Sequence, residues 1–416
     1  MKSFKKAISL IVLLCLVLIM TTGCVSDPVV ANCKKGQHEW DDGQITKEAT
    51  VEEEGEMTYK CKHCTATKTE PIDKLPNIYY SNPVYAPVFA DPSVIEHEGS
   101  YYAYATQDYG QWRPSDNPLE NEEKQACVPI LKSDDLVKWY YAGQAFVGLK
   151  KPSWGTSGAG VWAPDVVKIG GKFVMYYALS VWGDPDPGIG IATADHPLGP
   201  WTDKGKLFTS NEIGVDNSID PAVFTAQDGK VYMIWGSFRG LFGVELTSDG
   251  MSLQGGIEQA RANKTLVAGI VGPWNGATYE APYVIYENGY YYLFVSSGTC
   301  CEGFKSSYHV RVGRSKNPLG PYVDQKGEDM RGENRGYVVV QGGKDFVGVG
   351  HNACVKVGND WYIAYHGFDA SLPSANYGNS NARALLIDKL EWTADGWCHT
   401  KDKVAGRNNL LIPEKD

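Results

Sequence analysis

Asp91-Pro-Ser-Val-Ile-Glu-His-Glu-Gly99, followed by Tyr101-Tyr-Ala-Tyr-Ala, is the stretch on which the fold turns. A distinctive residue leads a short apolar strand. A turn signal ends that strand, and an aromatic-rich strand follows. The same pattern returns as Trp162-Ala-Pro-Asp-Val-Val-Lys-Ile-Gly-Gly171, Asp220-Pro-Ala-Val-Phe-Thr-Ala-Gln-Asp-Gly229, Glu280-Ala-Pro-Tyr-Val-Ile-Tyr-Glu-Asn-Gly289 and His351-Asn-Ala-Cys-Val-Lys-Val-Gly358. The pairs Gly170-Gly171, Asp228-Gly229, Asn288-Gly289 and Gly358-Asn359 suit tight hairpins, which need positive φ. The copies recur about every 55–75 residues with no sustained helical period after residue 76, so the region is expected to be all-β. Strand-only repeats of that length predict a β-propeller with one copy per blade, hence five blades.

Radial packing would bring the leading residue of every copy to one central mouth. Those residues are Asp91, Trp162, Asp220, Glu280 and His351. A single Asp at a strand start is usually structural, because its side chain bonds to nearby backbone. Three carboxylates at one register are harder to explain that way. Gathered together, they would raise at least one pKa by mutual repulsion, leaving one acid protonated and one ionised. Glycoside hydrolysis needs that division. Asp165 sits nearer its turn than the others, six residues before Gly171, so it is expected to be structural while Trp162 faces the mouth. An indole there can stack on a sugar face. The high aromatic content, 12 % with 25 Tyr and 12 Trp, otherwise suits strand packing.

The net charge of −10 and the lack of a Lys/Arg stripe argue against nucleic acid as a partner. The basic cluster Lys2, Lys5 and Lys6 instead precedes the apolar run Ala7 to Met20, as in a signal peptide. The run ends Thr21-Thr-Gly-Cys24, which resembles a bacterial lipoprotein cleavage site. That resemblance implies lipidation of Cys24 and anchoring to the outer face of a membrane, with plain secretion as the alternative. Residues 1–24 are thus read as a leader, 25–75 as a small module with its linker, and 76–416 as the propeller, acting as a monomer.

The small module carries Cys33-x4-His38 and Cys61-Lys-His-Cys64. A Cys-x-x-Cys knuckle plus a distant Cys/His pair can complete a tetrahedral zinc site. The segment resembles small zinc-ribbon-like repeats of Gram-positive cell-surface proteins. Those carry a further Cys where this chain has Val51, which leaves His38 or His63 as the fourth ligand. A disulfide from Cys33 to Cys61 or Cys64 is the alternative. Ten cysteines with an odd remainder do not read as a disulfide framework. Adjacent Cys300-Cys301 is not expected to bridge, since that strains the backbone.

From about residue 84 to about 400 the chain resembles glycoside hydrolase family 43, five-bladed propellers that invert the anomeric carbon. The resemblance rests on Ala90-Asp91-Pro-Ser, Trp162-Ala-Pro-Asp165, Ser218-Ile-Asp220-Pro, Tyr279-Glu280-Ala-Pro-Tyr and Gly350-His351-Asn. It implies Asp91 as general base, Glu280 as general acid and Asp220 as the residue that orients the acid and tunes its pKa. It implies His351 on the axis, where a neutral imidazole holds a water or helps bind calcium. No organic cofactor is implied. The segments Gly236-Ser-Phe and Ser297-Gly-Thr-Cys300-Cys301 through Arg314-Ser resemble the endo-α-1,5-L-arabinanase branch, with Ala90 and Arg239 as departures that touch substrate subsites or the axial water network. Two alternatives stand beside this. One is an exo-acting β-xylosidase or α-L-arabinofuranosidase of the same family. The other is a glycan-binding lipoprotein that does not cut, whose mark would be loss of a carboxylate.

Overall fold

The computed structural model describes residues 33–47, 49, 53–74, 77–109, 125–272, 279–372, 376–377 and 380–413. The leader, Cys24 and Val51 lie outside them. The chain divides into two compact units that meet between Asn77 and Ile78. No helix among the described residues is long and apolar enough to cross a membrane.

In the larger unit the five repeats form five antiparallel sheets, built strand after strand except in the first, where Asp108–Tyr109 and Tyr140–Phe146 both pair with Gln125–Ser133. The first strands are Ser93–His97, Gly160–Ile169, Ala222–Thr225, Tyr279–Glu287 and Phe346–Val357. Each touches the first strands of its two neighbours, so they line one closed axis. The hairpins lie where the turn pairs put them; Asn288 and Gly289 take φ of 50° and 79°, the left-handed pair a two-residue hairpin needs. One departure from all-strand structure is the eight-residue helix Gly256–Asn263.

The core is a set of seams between blades rather than one central mass. Phe173 and Tyr177 of the second blade pack against Tyr104 and Ile130 of the first. Trp235 and Met233 meet Tyr176 and Phe208 at the next seam. Ile234 and Leu241 meet Leu293 and Val295 at the third. Phe294 and Val312 meet Ile363 and Tyr365 at the fourth. Tyr362 and Ile387 return to Tyr101 and Leu131 at the fifth, which closes the ring. Each fully buried large side chain contributes about 1.5–3 kcal/mol, so every seam is a substantial glue. The alternating apolar positions of the strands supply both faces of each sheet, which is why aromatics are so frequent.

The fifth blade recruits chain from before the first. Val84 N–H donates to the Leu385 carbonyl and Leu385 N–H to that of Tyr85, both at 2.9 Å. Asn82 bonds both the N–H and the carbonyl of Ile387. Residues 80–85 thus lie along Arg383–Lys389, the third strand of that blade.

Cys300 and Cys301 form a disulfide, contrary to the expectation from their adjacency. Their loop is bonded to itself across its base. Tyr308 N–H donates to the Thr299 carbonyl, and Glu302 N–H to the Ser306 hydroxyl. That bonding holds the tight turn in place.

The smaller unit has one antiparallel sheet, Gln44–Lys47, Gly55–Lys60 and Thr67–Ile72, in that order. Its cysteines are free. The Sγ atoms of Cys33, Cys61 and Cys64 and a ring nitrogen of His38 all lie within 4.8 Å of one another.

Candidate active site

The mouth is built on one backbone device. Asp91, Ala163, Asp220, Ala281 and His351 have φ of 55°, 42°, 56°, 52° and 51°. One residue per blade is left-handed at the same place. This corrects the register read from the sequence: Ala163 and Ala281, not Trp162 and Glu280, are the equivalents of Asp91, Asp220 and His351. The cause is a bulge. Pairing slips between Trp162 and Asp165 and between Glu280 and Tyr283, so those strands begin before the bend and carry one extra residue.

At four of the five bends the residue's N–H is caught by the preceding blade. Ala163 N–H donates to Thr106 Oγ1 at 2.8 Å, and Ala281 N–H to Asp220 Oδ2 at 3.1 Å. His351 N–H donates to Ser296 Oγ at 2.8 Å, and Asp91 N–H to His366 Nδ1 at 3.1 Å. Buried N–H groups that leave a ladder need such partners. The carboxylate of Asp220 is therefore partly a backbone clamp.

Asp91 is surrounded by donors. Thr106 Oγ1 donates to Oδ2 at 2.5 Å and Arg383 Nη1 to Oδ1 at 3.1 Å. His351 Nδ1 lies 3.3 Å from Oδ1. Burial would raise the Asp91 pKa, but Arg383 and His351 overcome it and hold Asp91 well below the usual carboxylate range. His366 Nδ1 is also 3.2 Å from Oδ1, yet this is no ion pair. Burial, aided by the charge of Arg383, pushes His366 down to about 4, and its Nδ1 already accepts the Asp91 N–H.

Glu280 has the opposite surroundings. It is buried and accepts from Ser237 Oγ at 2.7 Å. Burial raises its pKa, Asp91's charge adds to the rise, and Ser237, Tyr308 and His351 oppose it. Burial also pushes Asp220 up to about 7, against the pull of His351 and with the charges of Glu280 and Asp91 adding. The Tyr308 ring leans on Gly350, where any Cβ would come within 2.2 Å of it, so only glycine fits before His351.

His351 departs from the neutral imidazole expected. Burial would lower its pKa, but Asp91 and Asp220 raise it to about 9, so it is an imidazolium at neutral pH. Trp162 is half-buried with its ring 5.9 Å from that of Trp182, which is 80 % exposed. Asp165 binds the blades together: Ser93 donates to Oδ1 at 3.3 Å and Val223 N–H to Oδ2 at 2.7 Å. Thr106, His366 and Arg383 were not singled out from the sequence, and Ser237 entered only within the Gly236-Ser-Phe segment, because all four come from later parts of their blades.

A buried acid with a raised pKa and an aspartate held ionised by cations offer the split in proton affinity that glycoside hydrolysis uses. The chain belongs to the glycosyl hydrolases family 43, whose pattern matches residues 80–398. It is 32 % identical over 291 residues to an extracellular exo-α-(1→5)-L-arabinofuranosidase of Cellvibrio japonicus, covering 66 % of this chain and 81 % of that protein. It is 31 % identical over 313 residues to extracellular endo-α-(1→5)-L-arabinanase 1 of Bacillus subtilis, covering 74 % and 86 %. Among solved structures, the Cellvibrio cellulosa α-L-arabinanase complexed with arabinohexaose superposes with a TM-score of 0.63 at 28 % identity, covering 76 % of this chain and 97 % of that one.

In the small unit, Cys33 Sγ is 3.6 Å from Cys61 Sγ, and Cys64 Sγ is 3.5 Å from His38 Nδ1. Ligands about 2.0–2.3 Å from a shared tetrahedral centre sit roughly 3.3–3.8 Å apart, so these edges fit a zinc-sized ion. The cluster could therefore hold a metal. His63 is occupied elsewhere, 3.0 Å from Glu39.

Proposed function

We propose that this protein is an exported, inverting hydrolase of α-1,5-linked L-arabinose chains that cuts chiefly within the chain. The opposed settings of Asp91 and Glu280 carry the reading. Asp91, ionised, takes a proton from water as that water attacks the anomeric carbon. Glu280, protonated, gives its proton to the leaving oxygen as the glycosidic C–O bond breaks. Solvent then restores both groups. Asp220 holds the peptide that carries Glu280, through the Ala281 N–H, and shares its proton affinity. Trp162 offers a face for a sugar ring.

His351 has its Nδ1 turned to Asp91, which leaves Nε2–H to donate to an axial water; only a deprotonated ring could offer Nε2 to an ion. Calcium prefers oxygen ligands, and Asp91's oxygens are already engaged, so an ion there would be held chiefly by water. No step above uses it. In the small unit, zinc on Cys33, His38, Cys61 and Cys64 would order a sheet with little core of its own. Metal analysis of the full chain should then give about one zinc, lost in Cys61→Ser. The lysine-led apolar leader and the extracellular relatives support export, with Cys24 as lipid anchor.

Incubation with debranched linear arabinan, xylan and the matching aryl glycosides, with products sized over time, tests the reading. Internal cutting releases mixed oligomers early. A single product size from the outset would instead favour the exo reading, which the Cellvibrio relative supports. Tight binding with no product would leave a glycan-binding protein.

A further inference from the structure

Ser237 donates to the carboxylate of Glu280 at 2.7 Å, and Phe238 N–H donates to the Tyr279 carbonyl at 2.9 Å. The next residue along this turn is Arg239. It is half-buried, and its one recorded partner is the Gly272 carbonyl, 3.1 Å from Nη1. Among the described residues no carboxylate pairs with it. The segment that follows Gly272, Pro273-Trp-Asn-Gly-Ala-Thr278, contains no acid. Arg383 and His351, by contrast, are both paired with Asp91.

A guanidinium has five N–H donors in a rigid fork and stays charged. Arg239 is only half-buried, so the donors not bonded to Gly272 are open to solvent and available to a ligand. Neutral arabinose units offer only hydroxyls and ring oxygens. A planar carboxylate fills the fork with two parallel bonds. Position says where that carboxylate would lie. In an inverting site the base and acid stand on opposite sides of the scissile bond, so groups beside the acid face the leaving half of the substrate.

We infer that Arg239 recognises a uronate carboxylate on the leaving-group side, so that the substrate is an arabinan chain still joined to an acidic sugar. This rests on the arabinan reading and goes beyond it. An arginine that served only to tie down residues 269–272 would affect all substrates equally.

The test compares kcat/KM of the full-length protein on arabinotetraose and on the same chain linked at its reducing end to galacturonate. The wild type should favour the charged chain by about tenfold at low salt, as a charge-assisted hydrogen bond predicts. That preference should shrink between about 10 mM and 1 M salt as screening sets in. Arg239→Gln should bring the charged-to-neutral ratio close to one, and Arg239→Lys should keep part of it. Turnover of the neutral chain with a wild-type ratio near one overturns the assignment of Arg239 alone. So does a ratio that survives Arg239→Gln. Turnover of neither chain overturns the arabinan reading, and this inference with it.

Discussion

Asp91 and Glu280 hold the same functional group in the same mouth, in opposite surroundings. Asp91 has a guanidinium at 3.1 Å, an imidazolium at 3.3 Å and a hydroxyl at 2.5 Å. Glu280 has the hydroxyl of Ser237 and, among the described residues, no cation paired with it. Burial penalises both charges, and only at Asp91 do the neighbours outweigh it. The lesson is that partners decide which carboxyl stays ionised, and hence which is proposed as base and which as acid, since burial alone would protonate both.

The comparison breaks most visibly when the base is removed. Asp91→Asn should lower kcat by about 10²–10⁴ on every substrate, activated ones included. Asparagine tolerates the left-handed backbone there but leaves Arg383 and His351 without their carboxylate, so the melting temperature should fall as well, and turnover is compared on the folded variant. Near-normal turnover by that variant would end the assignment.

Glu280→Gln should cost as much on arabinan, about 10²–10⁴, but far less on aryl arabinosides whose leaving groups need no proton. Equal losses on both substrates would show that Glu280 does not act as the acid.

Arg383→Met tests the compensation itself. Without the guanidinium Asp91 should titrate higher, so the acidic limb of kcat/KM moves toward neutrality. The alkaline limb, set by Glu280 with Asp220, should move much less. A uniform fall with an unmoved acidic limb would make Arg383 merely structural.

The smallest effect is on stability. His351 is raised from 6.5 to about 9 by its acidic neighbours. The folded state binds that proton more tightly than the unfolded state. The stabilisation is therefore full below pH 6.5 and is lost as pH climbs through about 9. His351→Asn should lower Tm by about 2–4 °C below pH 6.5, with the gap to wild type closing toward pH 9. A gap that stays constant across that range would mean His351 is not charged in the fold.

Much of this was legible in the chain because the signals were local. Each copy announces its strands by apolar alternation and its hairpin by a Gly-containing pair. The leading residues could be counted back from those turns. What could not be counted was the bulge that places Glu280 and Trp162 one step before the bend, because a bulge depends on pairing with the next strand. Arg383, His366, Thr106 and Ser237 reach the mouth through blade geometry that spans up to 292 residues of chain. Two of them left a trace. His366 and Arg383 interrupt strands that are otherwise almost wholly apolar, Trp361-Tyr-Ile-Ala-Tyr-His366 and Arg383-Ala-Leu-Leu-Ile387. A charged residue in such a run is rarely buried without purpose. The Cys300–Cys301 bridge was missed because adjacency was weighed without the loop that holds the turn.

The bend at the five blade starts also has meaning for an engineer. It carries a carboxylate at Asp91 and Asp220, a methyl at Ala163 and Ala281, and an imidazole at His351, all within a φ range of 42° to 56°. The scaffold thus behaves as a socket with five interchangeable plugs. Ala163 and Ala281 are the smallest plugs, and both are buried. Asparagine, aspartate or histidine would suit the left-handed main chain there, but each would need room made by trimming a packed neighbour.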